Sequence, residues 1–145
     1  MRHLFCISVF IFLYGFSNAQ DEKVPPGISD LFYMQYPYAT NIKVNKKWRA
    51  SEVDFKMKGE HYLASYEKNE WRYSLMDYDY NRLPSKVKKG LKSTKYGKKD
   101  VLETTLVYLP SGIEEYRIKL KNDSFNNRYI YLNENGKVIR ISRVR

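Results

Sequence analysis

The sequence predicts an α+β domain made of tandem α-β4 units, with two helices packed on one face of an antiparallel, curved sheet of about eight strands. An internal repeat is the first observation: residues 53–59 (VDFKMKG) are echoed by residues 116–122 (YRIKLKN). The second is that a short stretch with helical spacing precedes each copy, and the third is that strand-like alternation follows it. The interval of roughly 60 residues exceeds a solenoid repeat, so we expect two copies of one module, repeat one at residues 27–82 and repeat two at residues 83–145.

Repeat one is predicted to contain one helix followed by four strands. Residues 27–35 carry apolar side chains at helical spacing, and Pro37 ends this helix. Alternation of apolar and polar residues begins in the first strand, where Trp48 is expected to share a face with Ile42. The alternation is clearest in residues 52–58, which predict a strand with one buried face. The other two strands are expected at residues 62–66 and 71–75.

Repeat two is predicted to have the same order of elements. Residues 85 to about 95 form a helix in which Val87 and Leu91 face the core. Asn135 is followed by a glycine, which is a strong signal for a tight hairpin turn. The four strands are expected at residues 101–109, 113–121, 128–132 and 137–143.

The N-terminus is predicted to be a signal peptide, residues 1–19, cleaved after Ala19. It has a basic start, an almost unbroken apolar run at residues 4–16 and small residues before the cleavage site. The run is shorter than the roughly 20 residues that cross a membrane, although a retained anchor is the alternative. Residues 20–26 would be a polar tether. We therefore expect a periplasmic or secreted protein.

Cleavage removes Arg2 and Cys6, which is the only cysteine. The mature chain then has 25 Lys and Arg (26 minus Arg2) against 16 Asp and Glu, a net charge of +9. Disulfides cannot stabilise it, so its stability must come from burial. A single domain of this length can bury enough surface for that purpose.

Several residues, taken in order, resemble the PepSY-like family of exported bacterial proteins, which is related in fold to the β-lactamase inhibitor proteins. They are Tyr36, Pro37, Ala39, Trp48, Val53, Phe55, Ala64, Tyr66, Trp71, Leu83, Pro84, Val87, Tyr96, Tyr116, Ile118, Leu120, Asn135 and Gly136. The resemblance covers residues 27–145 and implies helices on one side of a sheet whose other side is open. It also implies export and non-catalytic binding, with inhibitory roles in relatives. The chain departs from the pattern at Asn69, where a glycine is usual, and in having no tryptophan in repeat two, so lactamase inhibition is not carried over.

Catalytic, cofactor-binding and metal-binding residues are not predicted, and the protein is not expected to be an enzyme. His61 is the only histidine after the leader, and the chain has no nucleophile elbow to place beside it. Residues 77–81 begin like a calcium loop, but Arg82 stands where that loop needs glycine and Lys88 where it needs glutamate. Residues 122–124 fit the glycosylation sequon, but this pattern often occurs by chance.

The open face of the sheet is the predicted binding site. If the apolar residues of each strand face the helices, the intervening basic residues face away from them. Like charges on adjacent strands repel, and an anionic partner would relieve that cost, although an ordinary wet face is the alternative. We expect an acidic segment of another envelope or secreted protein, or another polyanion, to bind there. The candidate residues are Lys43, Lys56, Arg72, Met76, Tyr78, Arg117 and Lys119.

A lysine-rich stretch at residues 86–99 offers a second interpretation. It could hold the protein at the envelope through anionic lipid or glycan, as a peripheral membrane contact, or it could simply be a solvated helix face. The residues concerned are Lys86, Lys88, Lys89, Lys92 and Lys95. No nucleic-acid recognition motif is present, so nucleic acid is not an expected partner. The sequence leaves the oligomeric state and the identity of the partner open.

Overall fold

A computed structural model describes residues 21–122 and 126–144, and in them the dominant element is one antiparallel sheet of eight strands. Each strand pairs with its neighbours in the chain, so the sheet order is β1 to β8 without a crossover. Short turns can join such strands directly because consecutive antiparallel strands lie side by side. The elements are α1 (Pro26–Gln35), β1 (Thr40–Lys46), β2 (Ala50–Met57), β3 (Glu60–Glu67), β4 (Glu70–Asp77), a 3-10 turn (Tyr80–Arg82), α2 (Ser85–Lys92), β5 (Val101–Tyr108), β6 (Glu114–Leu120), β7 (Arg128–Leu132) and β8 (Val138–Arg143).

The turn between β3 and β4 has Asn69 where the related pattern has a glycine, and its backbone conformation is the one that glycine usually provides. Lys68 and Asn69 both adopt positive φ angles, 51° and 65°. Two-residue hairpin turns need this conformation because it matches the twist of the flanking strands. Asparagine tolerates it better than most other residues, so Asn69 can take the place of glycine.

One face of the sheet carries the hydrophobic core, and we call it the core face. Near the N-terminal half, Phe32 of α1 packs edge-on against Phe55 of β2, with ring centroids 5.1 Å apart, and Tyr36 lies 4.6 Å from Phe55. Val53 and Ala64, which face each other in the β2–β3 register, are fully buried in the same cluster. Alternate positions of these strands therefore point into one core, as their apolar alternation predicts.

A second cluster lies further along the same face. Val87 and Leu91 of α2 are buried in it with Ile118 of β6 and Ile130 of β7, which are paired in the register. Met76 of β4 also points to the core face, because it pairs with core-face residues on both neighbouring strands, and it is 6% exposed.

The predicted α+β class, with two helices packed as a layer on one face of the sheet, is wrong. The two helices contain ten and eight residues. The sheet has eight strands of five to eight residues each, so far more residues are in strands than in helices. Each helix buries two residues, Ile28 and Phe32 in α1 and Val87 and Leu91 in α2. So little helical surface does not make a layer, and the fold is dominated by its sheet.

Two local predictions also need correction. The first strand ends at Lys46, and Trp48 lies in the turn beyond it with 94% of its surface exposed, rather than on the face of Ile42. The second helix ends at Lys92 instead of about residue 95, since Leu91 is the last apolar residue at helical spacing. The other predicted strands are confirmed in number and order.

Some predictions fall on residues outside the described part of the chain. These are the leader at residues 1–19 with its cleavage site, the start of the tether at Gln20, and most of the sequon at residues 122–124. Among the residues that the structure describes, no helix is long and apolar enough to span a membrane.

Candidate binding face

The face opposite the core, which we call the open face, has an apolar strip at its centre. Register pairing places Leu63 of β3, Leu75 of β4 and Val107 of β5 side by side. Within the described chain neither helix buries a residue among them, because the buried residues of α1 and α2 belong to the core clusters. We call these three residues the apolar row.

Charged residues surround the apolar row, and they are of both signs. Strand register assigns five lysines and arginines to this face against seven carboxylates. The cations are Lys43, Lys56, Arg117, Lys119 and Arg140, and the carboxylates are Glu52, Asp54, Glu67, Glu70, Asp77, Glu103 and Glu115. The face is therefore close to neutral, and the expected like-charge repulsion is largely offset by carboxylates that the alternation also places there.

Arg117 of β6 is the central cation of this face. Its Nη2 donates to Glu103 Oε1 at 3.0 Å and to Thr105 Oγ1 at 3.1 Å. Its guanidinium carbon lies 4.6 Å from the centre of the Tyr129 ring, close enough for a cation–π interaction. Only 14% of the side chain is exposed. These contacts hold the guanidinium in one orientation.

A second arginine extends this arrangement toward the end of the sheet. The guanidinium of Arg140 in β8 lies 3.8 Å from the centre of the Tyr131 ring and 3.2 Å from Glu115 Oε2. Register pairs Tyr131 with both Arg117 and Arg140. We call Arg117, Tyr129, Tyr131 and Arg140 the arginine–tyrosine cluster. Such a cluster presents rigid, amphipathic side chains.

Two adjoining clefts lie on the open face. The larger has a volume of about 790 Å³ and extends from His61 to Arg117, and the smaller, about 270 Å³, lies between Tyr73 and Arg140. Leu75 and Arg117 line both clefts. The apolar row and the arginine–tyrosine cluster thus meet where the two clefts adjoin.

His61 lies at one end of the larger cleft between two carboxylates. Its Nε2 is 2.9 Å from Asp54 Oδ1 and its Nδ1 is 3.0 Å from Asp77 Oδ2. Both ring nitrogens can donate only in the protonated imidazolium. Partial burial lowers the pKa of His61, but hydrogen bonding to and attraction by Asp54 and Asp77 outweigh it, and the pKa is raised above its ordinary value of 6.5.

We expect His61 to make the stability of the fold depend on pH. Because its folded-state pKa is raised, its contribution is fully present below the unfolded pKa of about 6.5 and is lost as pH rises through the folded pKa. The urea midpoint of the wild type should exceed that of His61→Asn at about pH 5.5, and the difference should shrink toward about pH 9. A difference that stays constant across this range would contradict the assignment.

The structure scatters the residues that the sequence proposed for the binding face. Lys43 and Lys56 are exposed on it, and Lys119 pairs with Glu103 at 3.4 Å. Met76 does not belong to it, because it is buried on the core face. Tyr78 packs against the second core cluster, and Arg72 sits at the irregularity of the β3–β4 pairing, near Glu67 and Glu70.

Sequence reasoning missed the residues that complete this face, namely Tyr73, Leu75, Val107, Tyr129, Tyr131 and Arg140. Their alternation was the available signal, since Tyr131 lies between two core residues, Ile130 and Leu132, on its strand. The register that brings them beside Arg117 depends on pairing between strands, which the alternation of a single strand does not specify.

The lysine-rich segment forms a separate basic surface. In the described chain none of Lys86, Lys88, Lys89, Lys92 and Lys95 forms an ion pair with a carboxylate. The Lys88 ammonium group donates to the Asn81 carbonyl at 2.8 Å, and four of the five residues are exposed. In the described chain the charge of these five lysines is thus not compensated by carboxylates, unlike that of the open face.

Residues 21–122 and 126–144 contain no group of three or more histidine, cysteine, aspartate or glutamate side chains that could hold a metal ion. The pair of carboxylates around His61 is occupied by hydrogen bonds to its ring.

Comparison with solved structures identifies the architecture. A DUF2874 family protein from Bacteroides uniformis superposes with a TM-score of 0.74 at 18% identity, covering 84% of this chain and 91% of that one. A BLIP-like protein from Bacteroides fragilis gives a TM-score of 0.72 at 20% identity, covering 84% and 89%. The chain has a BLIP-like fold. This confirms the predicted relation to inhibitor-like folds, whereas the narrower PepSY-like resemblance stays a prediction.

A third solved structure is a proposed periplasmic protein from Bacteroides eggerthii. It gives a TM-score of 0.72 at 18% identity and covers 85% of this chain and 91% of its own. No protein-family model matches the chain, and no curated protein matches it significantly. Identities this low establish the fold and no more.

Proposed function

We propose that the protein is an exported, non-catalytic binding module that holds a segment of another envelope or secreted protein on its open face. The observation that carries this proposal is the arginine–tyrosine cluster beside the apolar row, where the two clefts adjoin. Arginine and tyrosine are enriched among the residues that contribute most to protein interfaces. The predicted leader and the proposed periplasmic location of the Bacteroides eggerthii protein, which shares this fold, support export.

The partner segment should combine an acidic side chain with an apolar one. An acidic group would reach the guanidinium groups of Arg117 and Arg140. Apolar atoms would cover Leu63 and Leu75, which are partly exposed, whereas Val107 is already buried. Because the face carries seven carboxylates against five cations, a dense polyanion would be repelled at least as much as attracted. A protein segment with isolated acidic residues fits this charge pattern better than a polyanion does.

Capture of a partner by site variants tests the proposal. The mature protein is immobilised and mixed with an envelope extract of the organism that encodes it. Arg117→Lys retains the charge but loses the planar group that stacks on Tyr129, and Tyr131→Ala removes an aromatic anchor. Each should reduce capture about tenfold, the effect of losing roughly 1.4 kcal/mol of binding free energy.

The control for this experiment is the double variant Lys89→Glu/Lys92→Glu, which alters the lysine-rich segment and leaves the open face intact. It should capture the partner as the wild type does. Equal capture by the wild type and both open-face variants would refute the proposed binding face. Circular dichroism of each variant confirms that the sheet is retained.

The lysine-rich segment favours a second candidate function, attachment to an anionic envelope surface. Five of its lysines lack carboxylate partners within the described residues, namely Lys86, Lys88, Lys89, Lys92 and Lys95. Exposed lysines near an anionic surface gain roughly 1 kcal/mol each. Under this alternative, Lys89→Glu/Lys92→Glu should lose sedimentation with phosphatidylglycerol vesicles while Arg117→Lys retains it. Equal sedimentation of the wild type with neutral and anionic vesicles would exclude it.

A further inference from the structure

The two edge strands of the sheet differ in whether their outward peptide groups are hydrogen-bonded within the described residues. At the β1 edge, the backbone N–H of Ile42 donates to Asp21 Oδ1 and that of Val44 donates to Glu22 Oε2, both at 2.8 Å. The N–H of Glu22 in turn donates to the Ile42 carbonyl at 2.9 Å. An acidic, extended piece of the chain itself therefore satisfies the outward peptide groups of β1. Exposed edges otherwise offer a template for another strand.

The β8 edge has no such cover within the described residues. There β8 pairs with β7 alone and is the last strand of the sheet. The N–H of Val144 donates to the Asn127 carbonyl at 3.0 Å, which fixes the residues whose peptide groups face β7. Since these directions alternate along a strand, the peptide groups of Ile141 and Arg143 face away from the sheet.

The side chains of β8 leave this edge available for pairing. Ile139 and Ile141 are each 45% exposed. Natural edge strands are usually protected by proline, charged side chains, a short length or a bulge. Residues 138–143 contain no proline, and the β7–β8 pairing has one irregularity, between Tyr131 and Leu132. The charged side chains of this strand are two arginines, Arg140 and Arg143, which repel a basic strand and attract an acidic one. A partner strand would cover isoleucine surface that is now in water.

We propose that the outer edge of β8 binds an extended, acidic segment of another protein as a ninth strand. The β7–β8 hairpin, residues 126–144, has four cations and one carboxylate, a net charge of +3. They are Arg128, Lys137, Arg140, Arg143 and Glu134. A second copy of β8 would bring like charges together, which disfavours self-pairing. At the opposite edge of this sheet, the acidic side chains of Asp21 and Glu22 accept hydrogen bonds from outward peptide N–H groups.

The outer edge of β8 is a separate surface from the clefts of the open face. Ile141 does not line either cleft, so a substitution there tests the edge alone. Its N–H faces outward, so Ile141→Pro removes a donor that the fold does not use, and proline is tolerated at edge positions of this kind. The proposal is tested with a fluorescent peptide of alternating glutamate and valine and a matched peptide of alternating lysine and valine. Ile141→Pro should weaken binding of the acidic peptide about tenfold, and Arg143→Glu about threefold.

Amide hydrogen exchange gives a second readout on the wild-type protein. Bound acidic peptide should slow exchange at Ile141 and Arg143 and leave the exchange of Ile42 and Val44 unchanged. Ile113→Lys alters another exposed isoleucine, in the β5–β6 turn, and should bind the peptide as the wild type does. If Ile141→Pro fails to fold, Arg143→Glu and the exchange pattern decide the outcome.

Three results would overturn the proposal. The first is that the acidic and basic peptides bind equally well, or that neither peptide binds. The second is protection at amides other than those of β8. The third is sedimentation of the free protein as a dimer that Ile141→Pro dissociates, which would make a second copy the occupant of this edge.

Discussion

Phe55→Ala should lower the free energy of unfolding by about 4 kcal/mol, the range seen when a buried phenylalanine is truncated. Phe55 is fully buried, and its ring contacts Phe32 of α1, Tyr36 beyond it and Tyr62 of β3, at centroid distances of 5.1, 4.6 and 5.3 Å. The variant leaves a cavity and also removes aromatic pairs, each contributing about 1 kcal/mol beyond burial. Urea denaturation followed by fluorescence measures the change.

Trp48→Ala is the matched control, because it also removes a large aromatic ring. Trp48 is 94% exposed, so its loss should change the free energy of unfolding by less than about 0.5 kcal/mol. Phe55→Leu should fall between the two variants, since most of the volume is retained. A loss at Trp48 as large as that at Phe55 would mean that another part of the protein covers the β1–β2 turn.

The contrast between these two aromatic residues shows what the sequence could and could not predict. Alternation placed Phe55 correctly, because a strand with one buried face constrains every second residue. It misplaced Trp48, which has the right parity but lies beyond Lys46, where the strand ends. Parity carries no information about the residue at which pairing stops.

The binding face shows the same limit at the level of charge. The sequence correctly predicted that Lys43, Lys56, Arg117 and Lys119 leave the core face. The predicted basic surface omitted the carboxylates of the same parity, such as Glu103, which contacts both Arg117 and Lys119. The charge of a sheet face depends on every residue that points to it, and cross-strand register decides which of those residues meet.

Gly90→Ala should lower the free energy of unfolding by about 3 kcal/mol, although the same change in an exposed helix would raise it by about 1 kcal/mol. A Cβ at Gly90 of α2 would lie 1.9 Å from the backbone oxygen of Gly136, in the β7–β8 turn. That oxygen belongs to a turn whose Gly136 has a φ of +78°, so it cannot move as a side chain would. The helix and the turn therefore approach backbone to backbone.

The neighbouring variant Lys89→Ala separates this packing effect from helix propensity. Lys89 is exposed on the same helix, so its replacement should be neutral or slightly stabilising. Gly90→Ala must instead push α2 away from the turn, which loosens Val87 and Leu91 in the second core cluster. Gly136→Ala should be similarly destabilising, since its Cβ would lie 2.1 Å from the Lys86 carbonyl oxygen. If Gly90→Ala proved as stable as the wild type, the close contact between α2 and this turn would not exist.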